Sequence, residues 1–261
     1  MKNYFYKAKV SYKGTHYFGW QVQKEGQGKT VQGQINKALT KIFKSSEVKT
    51  VGSGRTDAGV HALEQVFRIS APFFIEDSAI IPALNSLLPS DIQVLDVETC
   101  TESFHPIFSA NAKEYIYLFI DNFPPNPFFC DSMTFLRGSF DYLKMEEATK
   151  CFVGKHVFKN FYCEGTPVSS YEREIFECTL SRENHFQDPF AKKLPPYFLF
   201  RVKGSGFLKQ MVRLMVGAIW EVGKGRLSLE ELKDSIACKT TGKVGPVAPA
   251  QGLYLNQVFY E

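Results

Sequence analysis

The sequence predicts an α+β fold with two ferredoxin-like-derived halves, whose antiparallel sheets flank a central cleft. Two observations favour this fold class. Residues 1–107 show the element order β-α-β-β-α-β, which is the ferredoxin-like order, and residues 108–261 repeat that order more loosely. We therefore expect an N-terminal domain over 1–107 and a C-terminal domain over 108–261. Two sheets that meet edge to edge would leave a long cleft between the halves for an extended ligand.

Hydrophobic periodicity defines the elements of the first half. Apolar and polar residues alternate over 4–12, as expected for a half-buried strand. Thr30 can cap a helix whose apolar side chains recur at helical spacing as far as Ile42. Asp77 can cap a second helix, which Pro89 ends. The remaining strands of this half are predicted near 48–52, 64–70 and 91–98.

The second half contains the longest predicted helix, over 206–223. Its residues are apolar on both sides, which indicates a largely buried helix. The other elements are strands at 108–120, 172–182, 197–204 and 252–260, and helices at 141–152 and 228–238.

Composition restricts the class of protein more than it identifies a function. Apolar residues make up 44% of the 261, and the 31 basic against 27 acidic residues give a net charge of +4. This excess is compatible with a polyanionic partner but does not require one. The six cysteines form no C-x-x-C pair, no apolar run reaches membrane-spanning length, and the first residues lack the apolar core of a signal peptide. We expect a soluble, cytoplasmic protein without a metal site.

The segment from Gly52 to Ala62 is the most informative one. Three glycines in eight residues suit a tight loop between two strands, and the loop also carries Arg55, Asp57 and His61. The alternative is an ordinary hairpin connection with solvated charges. The loop fails the G-x-G-x-x-G pattern, and one Asp/His pair is a poor metal signal.

The long helix carries Arg213 among apolar residues. An unpaired buried charge is costly, so Arg213 either faces a polar cleft and pairs with Asp57 or extends its guanidinium to the surface. A G-x-G motif at 204–206 precedes this helix, but it is weak evidence for a nucleotide site on its own.

Aromatic and basic residues interleave around Lys113 and Tyr115. Bases can stack on tyrosine while lysine contacts phosphate. The alternative is a strand with a packed aromatic face.

Taken together, the motifs resemble those of the TruA family of tRNA pseudouridine synthases over almost the whole chain. The matching segments are Tyr17-Phe18-Gly19-Trp20-Gln21-Val22-Gln23, Thr30-Val31-Gln32, Gly54-Arg55-Thr56-Asp57-Ala58-Gly59-Val60-His61, Phe104-His105, Phe108-Ser109-Ala110, Lys113-Glu114-Tyr115-Ile116-Tyr117, Gly154-Lys155-His156, Phe207-Leu208-Lys209-Gln210-Met211-Val212-Arg213, Val216-Gly217, Val222-Gly223 and Ala248-Pro249-Ala250-Gln251-Gly252-Leu253-Tyr254-Leu255.

This resemblance implies a cofactor-free enzyme, usually a homodimer, that converts uridine to pseudouridine at positions 38, 39 and 40 of the tRNA anticodon stem-loop. It implies that Asp57 is the catalytic carboxylate, that Tyr115 stacks on the target base and that Arg213 keeps Asp57 charged. Arg55 would hold the flipped nucleotide, and Leu253 would pack beneath the base. Residues that we expect to contact the RNA in addition are His61, Lys113 and His105.

Two segments depart from the family pattern. The family often has R-T-I where this chain has Arg173-Glu174-Ile175, and 160–165 also differs from the usual Ser/Ala-rich pattern. These departures affect the expected local RNA contacts rather than the chemistry. The remaining alternatives are a non-catalytic tRNA-binding protein, a pseudouridine synthase for other uridines, and a small-molecule enzyme that uses Asp57 and His61 for acid–base work.

Overall fold

The computed structural model describes residues 3–23, 28–121, 123–165, 168–183 and 196–260. The chain forms two compact units. The first unit spans Met1–Asn111 together with Tyr254–Glu261, and the second spans Ala112–Leu253. In the described residues, no helix is both long and apolar enough to cross a membrane.

Residues 4–100 of the first unit form four antiparallel strands and two helices, and they confirm the predicted element order. The strands lie in the order β4-β1-β3-β2, the ferredoxin-like order. The elements are β1 (Tyr4–Tyr12), α1 (Val31–Phe43), β2 (Lys49–Gly52), β3 (His61–Ala71), α2 (Asp77–Leu87) and β4 (Ile92–Cys100).

The two helix starts of this unit differ in how well the sequence predicted them. Thr30 caps α1 as predicted, because its hydroxyl accepts a hydrogen bond from the Gly33 N–H at 3.2 Å. The prediction that Asp77 caps α2 was wrong. Glu76 occupies the cap position, while the Asp77 carboxylate accepts hydrogen bonds from the backbone and hydroxyl of Thr99, both at 2.8 Å. The Asp77 side chain, which the local sequence predicted as the helix cap, therefore bonds to a distant residue on β4 instead.

The second unit has a sheet in the order β5-β9-β8-β7, and β6 pairs with β5. Strands β6 and β7 were not predicted, since three or four residues are too short to show an alternating pattern. The elements are β5 (Ala112–Asp121), β6 (Thr134–Leu136), α3 (Tyr142–Lys150), β7 (Gly154–Val157), β8 (Glu172–Glu183), β9 (Tyr197–Gly204), α4 (Met211–Gly223) and α5 (Leu229–Ile236).

Helix α4 is shorter than predicted. It begins at Met211 rather than near 206, because Gln210 adopts a left-handed conformation with φ of 60°. The helix packs on the sheet through Trp220, whose ring meets those of Tyr117 and Phe119 edge-on at 5.7 and 5.6 Å between centroids.

The last strand, β10 (Leu253–Phe259), pairs with β3 of the first unit. Tyr254 and Leu255 lie opposite His61 and Ala62 in parallel register. For this reason the C-terminal residues group with the first unit, whereas the sequence assigned all of 108–261 to the second domain.

Candidate active site

Asp57 lies on the connection between β2 and β3. Its side chain is partly exposed, whereas its neighbour Thr56 is buried. The Asp57 carbonyl accepts a hydrogen bond from the Val60 N–H at 3.2 Å, and Gly59 in this turn has φ of 78°. The turn thus presents one carboxylate from a backbone that is otherwise packed.

A buried glutamine of β3 fixes the first half of this loop. The Gln65 amide oxygen accepts a hydrogen bond from the Ser53 hydroxyl at 2.5 Å, and its amide nitrogen donates to the Gly54 carbonyl at 2.9 Å. Gln65 and Ser53 are both fully buried, so these bonds are shielded from water. Gln65 was not predicted from the sequence, although a polar residue on the inward face of an apolar strand was a usable signal.

The segment that follows β1 supports the second half of the loop. The Trp20 N–H donates to the Thr56 carbonyl, and the Gly59 N–H donates to the Tyr17 carbonyl, both at 3.2 Å. Gly19 has φ of 88°, and a Cβ there would lie only 2.4 Å from the Thr56 carbonyl oxygen. This close approach explains why position 19 beside the aspartate loop is a glycine.

His61 supports the same loop from its end. Its ring is 1% exposed, its Nδ1 accepts a hydrogen bond from the Gly14 N–H at 3.1 Å, and it stacks on Tyr254 with 4.6 Å between centroids. Because Nδ1 is an acceptor here, the proton of the neutral ring is on Nε2. His61 therefore acts in this structure as a support for the loop, and the contact with substrate that the sequence predicted stays a prediction.

The other candidates of the first unit differ in exposure. Arg55 is exposed, and its Nε donates to the Gln21 side chain at 3.0 Å. His105 lies in a different turn, between β4 and β5, where its Nδ1 accepts a hydrogen bond from the Ile107 N–H at 3.2 Å. Its ring lies 4.4 Å from that of Phe108, which is 83% exposed. Phe108 is a better stacking surface for a base than His105, and the sequence analysis did not single it out.

In the second unit, Tyr115 lies on the inner face of β5, as the alternating pattern predicted. It is 9% exposed, and Phe207 meets its ring edge-on at 5.1 Å between centroids. Lys113 is two residues earlier, so its side chain leaves the same face of the sheet. Burial, and secondly the charge of Arg173, lowers the pKa of Lys113 to about 8.

Arg213 is in the first turn of α4. Its Nε donates to the Ala248 carbonyl at 2.6 Å, and the Ala248 N–H donates to the Arg213 carbonyl at 3.1 Å. Gly217 permits this packing, because a Cβ there would lie 1.8 Å from the Pro246 carbonyl oxygen. The Ala248 carbonyl thus accepts a hydrogen bond from the Arg213 Nε–H. The predicted pairing of Arg213 with Asp57 stays a prediction.

Leu253 follows a 3-10 turn over Ala250–Gly252 and is 5% exposed. The Tyr117 hydroxyl donates to the Pro249 carbonyl at 2.8 Å, and a Cβ at Gly252 would lie 2.6 Å from the Tyr117 ring. Tyr117 thereby fixes the segment that carries Leu253. From the sequence, Tyr117 was only part of a motif and of one face of a strand, because its hydrogen-bond partner is 132 residues away.

The candidate residues therefore fall into groups. The first unit brings Arg55, Asp57 and His61 into one loop, and places His105 elsewhere. In the second unit, Lys113 and Tyr115 share a face of β5. A partly exposed carboxylate on a fixed loop can serve as a nucleophile or as a general base, provided that a substrate is brought to it.

Comparison with known proteins identifies relatives over nearly the full chain. The family model described as tRNA pseudouridine synthase matches residues 8–109 and 148–261. A protein named tRNA pseudouridine synthase A from Lacticaseibacillus casei (strain BL23) is 37% identical over 98% of this chain and 99% of its own length. One of the same name from Bacillus pumilus (strain SAFR-032) is 41% identical over 98% of each chain.

Among solved structures, one chain of an H/ACA ribonucleoprotein bound to a substrate RNA containing 2′-deoxyuridine is similar at 13% sequence identity. The similarity covers 83% of this chain and 53% of that chain, with a TM-score of 0.31.

Proposed function

This chain belongs to the tRNA pseudouridine synthase family, and we propose that it converts uridine to pseudouridine at positions 38, 39 and 40 of the tRNA anticodon stem-loop. The observation that supports the chemistry is a single partly exposed carboxylate, Asp57, on a loop whose backbone is fixed from both sides. The product has the same atoms as the substrate, so the reaction requires no oxidant or group donor. A homodimer in the cytoplasm is part of the same proposal.

The target base must first leave its stack, at a cost of roughly a few kcal/mol. Arg55 is suited to compensate for this cost, because its guanidinium is exposed at the edge of the Asp57 loop. It can fill the vacated space or hold the phosphates beside the flipped nucleotide.

The chemical step breaks the bond between N1 and C1′, turns the uracil and joins its C5 to C1′. Asp57 either attacks a carbon of the nucleotide or removes a sugar proton to give a glycal. Carboxylates stabilise or attack sugar carbons in glycoside hydrolysis, which is the nearest chemical precedent. In both routes the C5 proton is lost at the end.

Residues of the second unit would hold the base and take part in the final proton transfer. Tyr115 would stack on the uracil, and its hydroxyl could take part in the C5 proton transfer. Leu253 would exclude water and retain the detached uracil. Arg213 would keep Asp57 ionised, since a cation beside a carboxylate favours the charged form.

The test is the pseudouridine content at each anticodon-stem position of an unmodified tRNA transcript after incubation with the purified protein alone. We expect product with the wild type and a loss of more than about 10³-fold in Asp57→Asn, which keeps the side-chain shape but removes the charge. Affinity for tRNA should stay within an order of magnitude. Asp96→Asn, an exposed carboxylate on β4, is the matched control and should keep wild-type activity.

Each other outcome excludes one part of the proposal. Product from Asp57→Asn at the wild-type rate would remove Asp57 from the chemistry. Pseudouridine at other positions alone would indicate a sibling specificity, and binding without product would favour a non-catalytic tRNA-binding protein.

A further inference from the structure

Phe108 exposes its ring to solvent in the turn between β4 and β5. Among the described residues it is the most exposed large apolar side chain, at 83%. A single apolar residue exposed on a loosely held loop would need no explanation. The turn around Phe108 is instead held by several hydrogen bonds, so its exposure is a feature of a fixed structure.

Hydrogen bonds between His105 and Ser109 close this turn from both ends. The Ser109 N–H donates to the His105 carbonyl at 2.8 Å, and the His105 N–H donates to the Ser109 hydroxyl at 3.1 Å. The Nδ1 atom of His105 also accepts from the N–H groups of Ile107 at 3.2 Å and of Phe108 at 3.4 Å. The backbone at Phe108 is therefore bonded directly to the histidine ring beside it.

Two side chains from other parts of the first unit anchor the same turn. The Arg68 Nη1 on β3 donates to the carbonyls of Glu102 at 3.0 Å and of Phe104 at 2.7 Å. The Tyr260 hydroxyl, just after β10, donates to the Pro106 carbonyl at 2.9 Å. The turn is thus tied to the sheet of the first unit, and the Phe108 ring has a fixed place on that sheet's surface.

His105 and Phe108 form one aromatic surface with a polar edge. Their ring centroids are 4.4 Å apart and their planes differ by 32°. Because Nδ1 of His105 accepts from the backbone, the proton of the neutral ring is on Nε2. In the part of the chain that the structure describes, no group accepts a hydrogen bond from this Nε2. The pair therefore offers an aromatic face and one N–H donor.

The charge around the turn favours a polyanionic ligand. No carboxylate of the described residues forms an ion pair with Arg68, and Glu102 is the one acidic residue of 101–111. A nucleobase has a flat face for the Phe108 ring and ring nitrogens or carbonyl oxygens for the Nε2–H, and its phosphates carry negative charge. An apolar protein segment would use the ring but would leave the donor and the cation unused.

We propose that the Phe108 ring and the Nε2–H of His105 bind an unpaired base of the tRNA anticodon loop, by stacking and by one hydrogen bond. This inference rests on the proposed function, since it requires an RNA substrate. It adds a second base-binding position to the one expected at Tyr115. Arg68 and Tyr260 are positioning residues, because they hold the turn and not the base.

The first experiment measures tRNA binding by Phe108→Leu, which keeps an apolar side chain but removes the aromatic face. Loss of one stacked base should weaken binding by about 5- to 150-fold. The slope of log affinity against log salt should stay unchanged, since no phosphate contact is lost. Phe108→Trp keeps an aromatic face and should retain wild-type affinity. Phe128→Leu, at an exposed phenylalanine between β5 and β6, is the control and should also bind normally. Wild-type affinity in Phe108→Leu would overturn the proposal.

A second experiment identifies the base. Anticodon stem-loop RNAs with one abasic nucleotide, moved position by position around the loop, are bound to the wild type and to Phe108→Leu. At one loop position the missing base should weaken wild-type binding as much as Phe108→Leu does, and it should cost the variant nothing further. Losses that add at every position would contradict a shared contact. Coupling at the target uridine alone would overturn a second base-binding position.

The variant His105→Asn tests the hydrogen bond. The asparagine oxygen can accept the backbone N–H groups that Nδ1 accepts, so the turn keeps its bonds while the Nε2–H is lost. Binding should weaken by about 2- to 12-fold, the size of one hydrogen bond, without a change in the thermal unfolding midpoint. Unchanged affinity would overturn this part of the proposal.

Pseudouridine formation by the wild type tests the proposed function separately. An active wild type whose Phe108→Leu variant binds tRNA normally would reject the base-binding position alone. A wild type that binds tRNA without product, and whose Phe108→Leu variant binds more weakly, would reject the chemistry and support the base-binding position.

Discussion

Polar groups of the Asp57 loop differ in their hydrogen-bond partners from those at the end of the second unit's sheet that carries Lys113 and Arg173. In the loop, the protein itself supplies partners for the buried polar groups, including the carbonyls of Gly54 and Thr56. At the sheet end, Arg173 keeps donors that no described residue uses. The first region is fixed by hydrogen bonds within the protein, whereas Arg173 bonds only two nearby backbone carbonyls among the described contacts.

This difference corresponds to two different requirements for positional precision. If Asp57 reacts as proposed, it must be held to within a fraction of an ångström, which the hydrogen bonds and close backbone contacts of its loop provide. A half-buried guanidinium that bonds two nearby carbonyls does not need the same precision. The effects of substitutions on stability and on activity should therefore differ between the two regions.

The largest effect is expected for Gly19→Ala. The new methyl group would lie 2.4 Å from the Thr56 carbonyl oxygen in a residue with φ of 88°, so unfolding free energy should fall by about 3 kcal/mol or more. Urea unfolding measures this change. Gly206→Ala, where nothing lies closer than 3.9 Å, is the matched control and should be neutral or slightly stabilising. An equal loss of unfolding free energy in both variants would show that the two regions do not differ in how tightly their backbones pack.

Gln65→Leu should have a smaller effect on stability and a distinct effect on kinetics. It leaves the Ser53 hydroxyl and the Gly54 carbonyl without their buried partner, which costs about 2 kcal/mol. Because the loop then loses its fixed geometry, kcat should fall while tRNA affinity stays unchanged. The control is Gln93→Leu, an exposed position on β4. A stability loss with normal kcat would limit Gln65 to a role in folding.

The smallest effect concerns Lys113 and pH. Its pKa is about 8 in the native protein against an ordinary value of 10.5, so the unfolded chain binds the proton more tightly. The resulting instability is fully present below pH 8 and disappears as the pH rises towards 10.5. Between pH 7 and pH 9, wild-type stability should therefore gain about 1 kcal/mol relative to Lys113→Met. A difference between the two proteins that stays constant with pH would show that Lys113 titrates normally.

Local pattern was sufficient to predict most elements but not the long-range contacts. Thr30 was identified as a helix cap because its partner is three residues away, while Asp77 was misassigned because its partner, Thr99, is on another strand. Helix α4 was predicted too long, since the apolar pattern continues through Gln210 although the backbone there is left-handed.

The candidate site shows the same limit. Asp57 was identified from a loop motif that is continuous in sequence. The roles of Gln65 and Tyr117 depend on hydrogen bonds to distant backbone groups, and the face shared by Lys113 and Arg173 depends on the register of three strands. Such long-range contacts leave no pattern in the local sequence, so the motifs predicted which residues matter but not which groups they contact.

The return of β10 to β3 has a consequence for how the protein is made. A ribosome produces the Asp57 loop well before Tyr254, which stacks on His61 at the end of that loop. The sheet of the first unit thus remains incomplete until β10 has been made. A chain that stops before β10 would lack this strand, which makes synthesis of β10 a condition for a properly supported Asp57 loop.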